Sequence, residues 1–256
     1  MKYANIFWVC IGFLMTGLPL QAQKETSVVV RVLAKDAKWI GNSMGGVEIA
    51  IKDLMTGELL AFGRTVGETG NTDLLVLQDK KRYGTLSTPG SAAFKANLTL
   101  HKPVFVEVTA TFRSAYSGMP VSASQQRWLI PGKPLSDDGI VIELPGFAMR
   151  INHPMPHQTV SLENKEEVRI DLFMIMLCGC PIESGGTWDS DSMEIEAMIY
   201  QDEKWIRNIP FTHRSTNHFT ADLSTLSIGS YQVFVSAYDP RSGNTGVEKI
   251  QVTIRE

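Results

Sequence analysis

The sequence predicts an all-β chain, two tandem β-sandwiches behind a removable N-terminal segment. Three observations predict it. Apolar residues recur with period two over strand-length stretches through most of the chain. No stretch carries an i, i+3, i+4, i+7 apolar stripe with helix caps. A proline-spaced segment, "INHPMPHQTV" at 151–160, separates two sets of such stretches.

Residues 1–23 read as an export signal. Lys2 supplies a positive n-region, and Ile6 to Leu18 is an apolar h-region that Pro19 ends. Cleavage is expected near Ala22 or after Gln23. The apolar stretch is shorter than the ~20 residues of a spanning helix. Cys10 lies inside it behind Phe7, Trp8 and Val9, which is not a lipid-attachment context. Removing 1–23 from the 256 residues leaves 233, with two cysteines and a formal charge of −4 because Lys2 departs. The expected location is the periplasm or the cell exterior, with no transmembrane segment in the mature chain. Weak acidity without a basic run argues against nucleic acid as a partner. Two cysteines cannot scaffold a chain of this size, so an apolar core must hold it.

In the first half, assigned to residues 24–150, seven strands are expected: 27–34, 46–53, 58–65, 92–100, 103–112, 124–130 and 139–145. Turn signals at Thr56-Gly57, Gly67 to Gly70, Pro89-Gly90, Pro131-Gly132 and Asp138-Gly139 separate them. "GETGNTD" (67–73) reads as a turn with no following helix. Residues 151–160 read as a semi-rigid linker. The second half, 161–256, offers 168–178, 193–200, 203–209, 218–223, 230–238 and 246–254 as strands.

The stretch "GGVEIAIKDLMTGELLAFGRTVGETG", followed by "AAFKANLTL" and "PVFVEVTATF", resembles transthyretin-like or carboxypeptidase-regulatory-like sandwiches over roughly residues 27–112. The second half resembles bacterial immunoglobulin-like or fibronectin-III-like domains through "LSIGSYQVFVSAYDPRSGNTG". There Leu226, Gly229 and Tyr231 match a tyrosine corner, and Asn244 suits a left-handed position in the last hairpin loop. Val233 stands where such domains place a cysteine, which excludes their inter-sheet disulfide. The resemblance implies binding, spacing or docking rather than catalysis.

One stretch stands apart. In "IDLFMIMLCGCPIESGGTWD" (170–189), Met174, Met176, Cys178 and Cys180 share one face of an extended strand. Three readings are open. A core strand uses methionine and free cysteine as fillers. A disulfide between Cys178 and Cys180 requires Gly179 to pucker the chain, because i and i+2 side chains on a regular strand diverge. A soft-metal site would offer two thiolates to copper, with Met176, Met193, His153 and His157 as further ligands. The expectation is placed on a functional pair in a loop near the surface.

Enzymatic patterns are thin. His101, His213 and His218 are scattered. Asp189 and Asp191 in "TWDSDSM" lack the spacing of a calcium loop and read as a solvated turn. Trp39, Trp128, Trp188 and Trp205 read as core plugs, with an aromatic carbohydrate platform as the alternative. The expected function is an exported, non-catalytic binding module with a protein partner, an accessory subunit of a periplasmic or surface assembly. The competing class is a copper-binding or thiol-redox protein built on Cys178 and Cys180, and a glycoside-processing enzyme ranks third.

Overall fold

A computed structural model describes residues 24–116, 119–156, 158–164 and 167–256. Residues 1–23, where an export signal is expected, and the ligand candidate His157 lie outside these described residues. The described chain is built from strands with only three short helical turns.

The first sandwich contains β1 (Lys24–Ala34), β2 (Glu48–Asp53), β3 (Leu59–Arg64), β4 (Phe94–Leu100), β5 (Val104–Phe112), β6 (Val121–Leu129) and β7 (Leu135–Leu144). One sheet has the order β4-β1-β7, the other β3-β2-β5-β6. Strand β1 pairs antiparallel with β4 and parallel with β7. Its sequence runs apolar rather than alternating, and Val28 to Ala34 are buried without a break. A strand covered on both faces requires this. The inner face packs into the sandwich. The outer face, at Leu33, meets a second apolar cluster with Trp39, Leu75 and Ala92. Arg31 sits beneath the same excursion, donating to the carbonyls of Ser91 (2.7 Å), Ala92 (2.9 Å) and Asp137 (3.1 Å).

That excursion corrects one expectation. The turn at 67–70 is followed by a five-residue helical stretch, Asp73–Leu77. The Asn71 side chain accepts from the backbone N–H of Leu74 at 3.0 Å, which caps it, and Leu75 plugs its buried side into the Trp39 cluster. A single apolar turn is too short to show a helical period.

The second sandwich contains β8 (Phe147–His153), β9 (Thr159–Ser161), β10 (Arg169–Met176), β11 (Glu194–Gln201), β12 (Lys204–Pro210), β13 (Thr212–Ser215), β14 (His218–Asp222), β15 (Gly229–Asp239) and β16 (Asn244–Arg255). The sheets are β13-β14-β10-β8 and β12-β11-β15-β16-β9. The tyrosine corner is present: Tyr231 is buried and its hydroxyl donates to the Ser227 carbonyl at 2.9 Å. Val233, two residues on, is fully buried in the place of the cysteine that immunoglobulin domains carry.

The 151–160 segment is not a linker. Ile151 to His153 complete β8, which pairs with β10, and Thr159–Ser161 add a parallel edge strand to β16. The His153–Pro154 peptide is cis, within the passage from one sheet to the other. The chain leaves the first sandwich at Pro145-Gly146, between β7 and β8. The prolines thus mark a sheet crossover inside the second unit. At the true junction, Asn244 is fully buried: its carbonyl oxygen accepts from Gly146 N–H at 2.7 Å, and its amide donates to the Lys35 carbonyl at 3.2 Å. Asn244 therefore joins the sandwiches, and Gly243 (φ 67°) takes the left-handed position expected of it. A continuous set of buried apolar side chains runs from Val28 in β1 to Ile254 in β16.

Candidate functional site

Strand β10 ends at Met176, and the chain turns through Leu177, Cys178, Gly179 and Cys180. Gly179 N–H donates to the Met176 carbonyl at 2.8 Å, and Met176 N–H donates to the Cys180 carbonyl at 3.2 Å. Gly179 has φ +80°, a left-handed conformation that residues with a Cβ adopt at a cost. The turn brings the two sulfurs to bonding distance with Cα atoms 5.5 Å apart, within the ordinary range for a disulfide.

The expectation of a surface position fails. Cys178 and Cys180 are 0% and 5% exposed, and Met174 and Met176 are buried beside them. The cover comes from the first sandwich. Met44, at the end of the 3-10 turn Asn42–Met44, lies directly over Gly179: a Cβ there would meet Met44 Sδ at 3.1 Å and Cγ at 3.2 Å. The turn is thus packed between the sandwiches, beside a second tie in which Trp188 Nε1 donates to the Asp36 carbonyl at 2.8 Å.

His153 and Met193, the other described ligand candidates besides Met176, lie in other elements. His153 pairs with Asp171, at the opposite end of the β8–β10 ladder from Met176, and its Nε2 is 2.8 Å from the Glu167 carbonyl. Met193 is half-buried against the core after the turn Ser190–Ser192. Among the described residues, no group of three or more His, Cys, Asp or Glu side chains is placed to hold a metal ion.

Asp189 and Asp191 organise their own loop. Asp189 accepts from the N–H groups of Gly185 (2.9 Å) and Asp191 (3.1 Å), which hold its carboxyl below the usual range. At the junction, partial burial and then the Asp239 charge push the Asp36 carboxyl up. Burial also raises Asp239, but bonds from the Ser242 hydroxyl and the Arg241 N–H groups outweigh it and leave that carboxyl low.

The four tryptophans divide. Trp39 and Trp188 are buried, as core plugs should be, whereas Trp128 and Trp205 are 58% and 60% exposed. Trp128 lies on the outer face of the β5–β6 pair, its ring 5.0 Å from that of its cross-strand neighbour Phe105. Trp205 lies on the outer face of the five-stranded sheet, directly opposite Tyr200. In the adjacent row, Met198 pairs with Phe234 and with Asn208. The Tyr200 and Phe234 rings meet edge-on at 5.7 Å, and Lys249 Nζ stands 5.1 Å from the Phe234 centroid. Trp205 is held: its Nε1 donates to Asn208 Oδ1 at 2.9 Å, and Asn208 Nδ2 donates to Glu196 Oε2 at 2.7 Å. Sequence reasoning grouped all four tryptophans. The signal that separates Trp205 is parity, because it pairs with a residue of β11 two positions from the outward-facing Met198.

No family model and no curated protein matches the sequence. Solved structures do resemble the chain. Fibronectin(III)-like modules of Clostridium thermocellum CbhA share 9% identity at a TM-score of 0.27, covering 90% of this chain and 94% of theirs. The titin domains z1z2, in complex with telethonin, share 12% at 0.25, covering 91% and 97%. Bacteroides ovatus SGBP-B, of a mixed-linkage glucan utilization locus and bound to a mixed-linkage heptasaccharide, shares 12% at 0.19, and this chain spans 42% of it. At such scores the fold class rests on the strand pairing above.

Proposed function

We propose that the chain is an exported, non-catalytic binding module, an accessory subunit of a periplasmic or surface assembly, that docks a protein partner through the outer face of its five-stranded sheet. Its first half would be transthyretin-like and its second immunoglobulin-like or fibronectin-III-like. One observation carries the reading: Trp205, more than half exposed, is fixed by Asn208 next to Tyr200 and Phe234. A large side chain left in solvent yet held in one orientation loses little entropy when a partner covers it. Tryptophan and tyrosine so placed dominate the energy of protein interfaces. Copper or thiol-redox chemistry at Cys178 and Cys180 is the poorer reading, because both cysteines are buried and a reagent would have to open the packing around them.

Site-specific photo-crosslinking in the source cells tests the proposal. A crosslinker at Lys249, beside Phe234 on the same face, should give one discrete adduct with a protein outside the cytoplasm, and one at Lys133 should give none. N-terminal sequencing of the same material should begin near Gln23 or Lys24. No adduct at 249, or a chain still carrying Met1, would overturn the reading.

A further inference from the structure

The chain is acidic overall, yet it gathers three arginines around one cleft. Strands β12 and β13 are edge strands of different sheets, and the chain crosses between them at Pro210-Phe211-Thr212. Beside this crossover opens a cleft of about 780 Å³, lined by Arg169, Arg207 and Arg214 with Asp222 as the one acidic side chain. These arginines are 38 and 7 residues apart along the chain, so no basic run announces them.

Their partners differ. Arg169 is neutralised by Asp171 at 2.9 Å. Arg207 Nη1 instead donates to Thr225 Oγ1 at 3.1 Å, and Arg214 Nε donates to Thr220 Oγ1 at 2.7 Å. Among the described residues neither has a carboxylate within ion-pair distance. Asp222 already accepts from the Ser224 N–H at 2.8 Å. A neutral hydroxyl orients each guanidinium without cancelling its charge, and four of its five N–H groups remain to be satisfied. The cleft is of the size that holds small ligands. A second cleft of about 740 Å³ shares Arg169, Arg214 and Thr220 and adds Asn152, Asp171, Ser215, His218 and Phe219.

We propose that this cleft binds an anionic oligosaccharide, with carboxylate or sulfate groups at Arg207 and Arg214 and sugar hydroxyls at the neighbouring threonines and Asn208. Guanidinium forks match planar oxyanions, and such charge-assisted bonds are about twice as strong as neutral ones. The choice of a sugar over an acidic peptide follows from the lining. Hydroxyls, an amide and guanidinium groups line most of it, with Val168, Ile209, Pro210 and Ala221 as its apolar residues and no aromatic ring. A peptide anchor would need an apolar pocket, which this lining does not form. The cleft adjoins the Trp205 face at Asn208, but the anion contacts at Arg207 and Arg214 do not depend on that reading.

Calorimetric titration of the purified chain tests it with four hexameric probes: oligogalacturonate, a heparin hexasaccharide, neutral cello-oligosaccharide and hexaglutamate. Binding of either anionic sugar at least about tenfold tighter than both controls, and weakening as salt screens the charges, is expected. Galacturonate binding would assign carboxylate as the recognised group, and heparin alone would assign sulfate. Arg207→Gln with Arg214→Gln should weaken that binding at least about tenfold with the unfolding midpoint unchanged. Should that pair perturb folding, Thr220→Val with Thr225→Val, which frees both guanidinium groups from their tethers, should also weaken binding. Failure of both anionic sugars to bind, equal binding of hexaglutamate or of the neutral sugar, or full binding by a folded Arg207/Arg214 variant would overturn the proposal.

Discussion

The Cys178–Gly179–Cys180 turn and the Trp205–Tyr200–Phe234 face belong to the same sandwich and meet opposite fates. The turn carries the two cysteines of the described residues, yet Met44 packs over Gly179 and both sulfurs are buried. The face consists of common residues at unremarkable spacing, and it is left open to solvent. Chemistry alone made the cysteines conspicuous. Topology decided what could be reached: β10 points its end at the neighbouring sandwich, whereas β12 is the unpaired edge of its sheet.

Predictions that bear on this comparison run from disruption of the turn to silence at the face. Gly179→Val should cost the most, roughly 2–5 kcal/mol, because a branched side chain at φ +80° is strained and collides with Met44. Denaturant titration reads this directly, and a loss under about 1 kcal/mol would mean the turn is free to move. Arg31→Met should cost roughly 2–3 kcal/mol, since it strands three carbonyl groups beneath the 66–93 excursion. Hydrogen exchange should then show that excursion opening before the sandwich.

A smaller loss, about 1 kcal/mol, is expected for Trp188→Phe, which removes the N–H that reaches Asp36 across the junction. Trp205→Ala should stay within about 0.5 kcal/mol of the parent, as surface changes do, while abolishing the photo-crosslinked adduct from neighbouring face positions. Comparable losses at positions 179 and 205 would erase the distinction between the two regions.

Asp36 supplies a pH test of the junction with the smallest effect. Its carboxyl is raised in the folded state, so the stability it contributes is present in acid and lost as pH climbs through the raised value. At neutral pH the charged form therefore opposes folding slightly. Asp36→Asn should stabilise by up to about 0.5 kcal/mol there, small because the residue stays exposed, and asparagine tolerates its φ of 54°. Below the carboxylate range both side chains are neutral and the gain should vanish. Asp239 carries the opposite sign: its depressed carboxyl contributes stability at neutral pH that is lost on acidification, so Asp239→Asn should destabilise near pH 7.

Strands with a clean alternation were legible in sequence, because one buried face per strand writes itself as period two. Each of the thirteen stretches so assigned lies over a strand. What the sequence hid has local causes. Strand β8 is hidden because Pro154 and Pro156 follow it closely and make its last residues, 151–153, look like a linker, although Phe147, Ala148 and Met149 are buried. Strand β13 is four residues long and mostly exposed, too short to show a period. In sequence Asn244 is a turn residue, since asparagine favours turns, and only its contacts with Gly146 and Lys35 reveal a joint between units. The arginine cleft could not be read from the chain at all, because the crossover at Pro210 to Thr212 is what brings its side chains together.

Whether the cysteine turn is a buried joint or a reactive site can be decided by native-state thiol alkylation under a mild reductant, followed by mass measurement across a denaturant series. The chain should stay unmodified, two hydrogen atoms lighter than the reduced form, until denaturant unfolds the protein. Labelling of Cys178 and Cys180 should then track global unfolding. Rapid addition of two labels to a chain that remains folded would contradict it.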